Sequence, residues 1–76
     1  MNYDTLVAQL LDKASDPREV LAGAGMDRLL IRSEDYERLK RHPRVKPNLL
    51  ATLRTYRGSE TDLVANILNI QAVIVV

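Results

Sequence analysis

The chain contains no cysteine, which excludes both disulfide staples and thiolate metal sites. It has only three glycines and three prolines in 76 residues, and no low-complexity, repeated or linker-like stretch. Neither sign of charge dominates. Eleven basic residues against 10 acidic leave a formal charge of +1, so no sequence-wide electrostatic drive toward nucleic acid or an anionic membrane exists. Long apolar runs are also missing. The most apolar stretch, ILNIQAVIVV, is broken by Asn69 and Gln71, whereas a membrane span needs about 20 apolar residues. The start, MNYDTLVAQLLDK, is amphipathic and lacks the basic-then-apolar order of a secretory signal. A cytosolic chain is expected.

What is present is enough for one small domain over residues 1–76 with a single modest core. At 46% hydrophobic residues the chain is too apolar for intrinsic disorder. Without staples, so short a domain depends on well-packed elements or on a partner.

Helical spacing runs along most of it. Tyr3, Leu6, Val7, Leu10 and Ala14 form one stripe of a first helix. Asp16, Pro17 and Glu19 make a capping-box-like start to a second, carrying Val20, Leu21 and Ala24 and ended by Gly23 and Gly25. Ser33 is the cap expected for a third, with Glu34 and Asp35 in its dipole-favoured first turn and His42-Pro43 at its end. The basic loop HPRVKP leads to a fourth, with Leu49, Leu50, Leu53 and Tyr56 on one face and Gly58 as its stop. Ser59 starts a fifth, with Leu63, Val64, Ile67 and Leu68 inside. The closing QAVIVV fits a last helical turn, a short strand or a frayed end. The expected fold is all-α: a compact bundle of five to six short antiparallel helices.

Catalysis is poorly supplied. His42 is the only histidine; it sits in the basic loop and reads as a solvated side chain with no orienting acid. Glu34 and Asp35 are adjacent, so on a helix they diverge by about 100° and cannot act as an opposed acid–base pair. No metal-ligand spacing, calcium loop or phosphate loop is present, and no cofactor is expected. A DNA-binding regulator is the main alternative: VANILNIQAVIV resembles the middle of a helix-turn-helix with its turn at Asn69. Its recognition segment, Ala72 to Val76, has no side chain for base edges beyond Gln71.

From Leu21 to Leu68 the order of elements resembles a caspase-recruitment domain of the death-fold superfamily. The matching pieces are LLIRSEDYERLK, RHPRVKP, NLLATLRTYRG and SETDLVANIL, and the similarity covers about two-thirds of the chain. The glycine-containing second helix and reduced sixth helix would make it a minimal, divergent member of bacterial type. LLIRSEDYERL is also similar to the strand-to-helix step of Phd-type antitoxins, which makes a toxin-inhibiting role a further alternative. The death-fold resemblance implies an adaptor that recruits another death-fold domain or itself, in signalling or defence, through charged patches on opposing faces. By position it implies Glu34, Asp35 and Glu37 as the acidic patch. Arg54, Arg57 and Lys13, on the fourth and first helices, would be the basic one.

Overall fold

Side-chain caps start three of the helices. Asn2 accepts from the Thr5 N–H (2.8 Å) ahead of α1, Tyr3–Leu11. Asp16 accepts from the Arg18 N–H (3.0 Å) ahead of α2, Pro17–Gly23. These bonds satisfy donors that the first helical turn leaves free. The α1 helix stops at Leu11 because Asp12 turns extended and its carboxylate takes the Ala14 N–H (3.0 Å); Ala14 therefore falls outside the expected stripe. The computed structural model describes residues 1–76.

The second helix ends in a Schellman turn: Met26 N–H donates to Leu21 O (3.1 Å) and Gly25 N–H to Ala22 O (3.0 Å). Gly25, at φ 68°, occupies the left-handed position that glycine takes without strain. Three residues later the chain is a strand, β1, Arg28–Ile31. The same unit recurs at the far end of the chain. Ser59 caps α5, Glu60–Leu68, by accepting from the Asp62 N–H (3.2 Å). Ile70 N–H then donates to Ala65 O (3.0 Å) and Asn69 N–H to Asn66 O (3.1 Å), with Asn69 left-handed at φ 56°. Again a strand begins three residues on: β2, Ala72–Val75. The two units meet where Gln71 N–H donates to Asp27 O (2.7 Å).

β1 and β2 pair in parallel, with Arg28 beside Ala72, Leu29 beside Val73, Leu30 beside Ile74 and Ile31 beside Val75. This overturns the all-α expectation: five helices are present, together with a two-stranded parallel sheet in place of the sixth. The physical reason is the period. Leu29 and Ile31 are buried while Arg28 and Leu30 are exposed, an alternation of two that a helix cannot present. QAVIVV resolves to strand because Asn69 reverses the chain and β1 supplies the missing hydrogen bonds. A recognition helix from Ala72 to Val76 is thereby ruled out.

Between the strands lie α3, Ser33–Lys40, and α4, Lys46–Thr52. Ser33 is not the cap. Arg32 precedes the helix in extended conformation with no side-chain cap bond, and Ser33 Oγ reaches only Glu34 Oε2, at 3.4 Å. Tertiary contacts hold this end instead: Tyr3 OH accepts the Arg32 N–H (3.1 Å) and donates to the Asp35 carboxylate. The fourth helix is shorter than its leucine spacing implies. Leu49 is buried, but Leu50 is 61% and Leu53 41% exposed. Gly58 lies well past its end; a Cβ there would press within 2.7 Å of the Tyr56 ring, so the glycine makes room for that half-buried side chain. One core joins the elements, with Leu10, Leu21, Leu29, Leu39, Val64 and Leu68 nearly inaccessible. A buried leucine contributes about 1.5–3 kcal/mol.

Candidate protein-binding face

The basic residues are not mixed evenly along the chain. Residues 1–37 hold eight acidic and four basic side chains, whereas residues 38–59 hold seven basic and no acidic ones. The near-neutral total hides this segregation, and a windowed charge count would have revealed it. Arg38 and Lys40 are paired with carboxylates. Arg41, Arg44, Lys46, Arg54 and Arg57 are exposed and none has a carboxylate within 4.0 Å.

Within this segment, α4 and the turn after it present Leu50 and Leu53 to solvent beside a shallow groove of about 260 Å³. Leu49 lines its floor, and Arg41 and Lys46 line its rim. A larger groove, about 320 Å³ between Asp16, Arg18, the Pro43-Arg44 loop and the start of α4, is mostly polar and holds no exposed large apolar side chain.

The groove has a rigid wall. Tyr36 OH donates to Glu60 Oε2 (2.7 Å), and Lys40 Nζ donates to the same oxygen (3.1 Å). Lys40 also pairs with Glu37 (3.1 Å) and lies 5.0 Å from the centre of the Tyr36 ring. The network ties α3 to α5. Burial and its bond to Glu60 push the Tyr36 hydroxyl well above the ordinary tyrosine range. The bond from Tyr36 lowers Glu60 despite partial burial, and Lys40 lowers it further. Burial alone would lower Lys40, but its bonds to Glu60 and Glu37 raise it instead.

The residues expected to form charged patches differ in exposure and in bonding. Glu34 is exposed in the first turn of α3. Asp35 is buried, bonded to Tyr3 OH and to Arg38 (3.4 Å), and so serves the fold rather than a solvated patch. Glu37 is exposed and engaged by Lys40. Arg54 and Arg57 lie beyond α4, in the turn leading to Ser59, and Lys13 lies beyond α1. Lys13 lines a small depression with Arg38 and Arg41.

His42 is not a solvated loop side chain. It is 3% exposed, with Nε2 3.0 Å from Asp12 O and Nδ1 accepting from the Arg44 N–H at 3.1 Å. A carbonyl only accepts and an amide N–H only donates, so the ring carries its hydrogen on Nε2. The histidine clamps the end of α1 to the α3–α4 loop. No three His, Cys, Asp or Glu side chains converge to hold a metal ion. No helix is long and apolar enough to cross a membrane. Comparison of the chain with protein-family models, curated proteins and solved structures finds no match.

Proposed function

We propose that the protein is an interaction module that acts by recruitment or assembly, docking a partner polypeptide on the α4 face. The observation behind this reading is the pair of exposed leucines, Leu50 and Leu53, beside the unpaired cations Arg41 and Lys46, in a groove whose two carboxylates, Glu37 and Glu60, are both engaged by Lys40. An apolar centre with a charged rim is the anatomy of a protein interface. Cations alone would suit a phosphate backbone, but leucines add nothing to phosphate contacts. The matching partner is an amphipathic segment with an apolar stripe and acidic flanks, carried by another protein or by a second copy's acidic N-terminal half. Charge complementarity of this kind sets orientation and association rate.

Binding of two designed helical peptides, equal in apolar stripe but flanked by glutamate or by lysine, tests the reading by calorimetry. The glutamate peptide is expected to bind, the lysine peptide not. Combined Leu50→Asp and Leu53→Asp should abolish binding, and Arg54→Glu with Arg57→Glu should slow association. Duplex DNA binding that falls steeply with salt and survives the leucine changes would replace this reading with a nucleic-acid one.

A further inference from the structure

The sheet has a feature the α4 face does not use. Parallel sheets are ordinarily covered on both faces and have their edges managed by charge, proline, bulges or packed helices. This sheet has only two strands, and its last residues are bare on both sides. Ile74 on the outer face is 40% exposed, and Val75 on the inner face is 37% exposed. The hydrogen-bond register shows which main-chain groups are free. Val76 N–H donates to Ile31 O (2.9 Å), and with Ile31 beside Val75 the parallel pattern turns Ala72, Ile74 and Val76 toward β1. The N–H and C=O groups of Val73 and Val75 therefore point away from β1, along an edge that pairs with no other strand.

We infer that β2 is a dimerisation edge, pairing antiparallel with β2 of a second copy to make a four-stranded sheet ordered β1-β2-β2-β1. Charge selects this edge over the other. From Ile70 to Val76 there is no charged side chain, so two copies meet without like-charge opposition. On β1, a two-fold pairing about Leu30 would set Arg28 opposite Arg32 of its twin, a destabilising arrangement. The two-fold axis is placed at Ile74. There Ile74 faces its own copy across a non-hydrogen-bonded pair, at a Cα spacing of about 4.5 Å. Val73 then exchanges both main-chain bonds with Val75 of the partner, and the symmetric exchange brings the total to four. The exposed flank of Val75 gains a neighbour, and the contact closes, so it gives dimers and not fibres. A dimer also doubles the α4 faces, which strengthens binding to any partner carrying two copies of its docking segment.

Sedimentation equilibrium on the full chain tests this. The wild type should reach twice the 8.6 kDa of one chain as concentration rises. Ile74→Lys and Ile74→Glu should each be monomeric, and mixing the two should restore the dimer, because the replacements then face each other with opposite charge. Val75→Pro should also be monomeric with unchanged helical circular dichroism, since the lost N–H serves no bond within the chain. If a variant fails to fold, amide exchange of the wild type decides. Val73 and Val75 should gain protection with concentration, and concentration-independent exchange overturns the proposal. A wild type that stays at 8.6 kDa at its highest attainable concentration overturns it too, as does a dimer that Ile74→Lys leaves intact. Loss of Leu50 and Leu53 should leave the dimer unchanged, which keeps this test separate from that of the α4 face.

Discussion

Replacing His42 with alanine should cost about 3 kcal/mol of folding stability, as two lost main-chain hydrogen bonds at about 1 kcal/mol each plus the void left by a buried ring. The ring is 3% exposed; it bonds Asp12 O, 30 positions back along the chain, and accepts from the Arg44 N–H. A domain of this length holds about 4–11 kcal/mol in total, so the loss is a large share and should lower the melting temperature by about 12–24 °C. Urea unfolding followed by circular dichroism measures it, with the slope held constant between variants. Two partial replacements separate the bonds. The longer glutamine reaches the Nε2 position and can donate to Asp12 O, whereas asparagine matches Nδ1 and can accept from Arg44 N–H. Each should recover about 1 kcal/mol of the loss. If His42→Ala falls within about 0.5 kcal/mol of wild type, as changes at uninvolved surface sites do, the histidine is not a clamp and the reasoning fails.

Stability should fall on both sides of neutrality because of the network on the groove wall. Glu60 is lowered from 4.5, so its contribution is present above that value and is lost as pH falls through its folded-state pKa; Glu60→Gln should flatten this acid limb in urea titrations. Lys40 and Tyr36 are raised from 10.5 and 10.0, so their contributions are full below those values and are lost as pH climbs beyond them, and Tyr36→Phe should soften the alkaline limb. Ser59→Ala should cost about 1 kcal/mol in denaturant melts through the lost cap, while Ser33→Ala should stay within about 0.5 kcal/mol because its hydroxyl caps nothing. Tyr3→Phe should cost about 1–3 kcal/mol in the same assay, since it strips partners from the buried Asp35 and from the Arg32 N–H.

Local chemistry was largely readable from the residues. The starts of α2 and α5 follow from Asp16-Pro17 and Ser59, because a cap bonds within three residues of itself and needs no tertiary context. The ends follow from Gly25 and Asn69, which accept left-handed backbone. The strands were harder. RLLI and AVIV are four residues each, too short for periodicity to separate a strand from a helical turn. Each nevertheless stands three residues after a left-handed position, a local signal that could have identified both. The candidate face was only half legible. Its cations are visible in a windowed charge count, but its leucines look like core, because the spacing of Leu49, Leu50 and Leu53 does not show where the helix stops.

By itself, then, the sequence determined where α2 and α5 begin and end, that one core forms, and that no metal or thiol chemistry is built from cysteine. The tertiary structure alone decided that residues 28–31 and 72–75 pair in parallel, since a strand exists only when a distant segment supplies its hydrogen bonds. It also decided that Asp35 and His42 are buried while Leu50 and Leu53 are not. Hydrophobicity sets a preference for burial, but the limited interior of a small domain leaves some apolar side chains outside. The partners waiting within it, Tyr3 OH and the Asp12 carbonyl, let two polar side chains take their place.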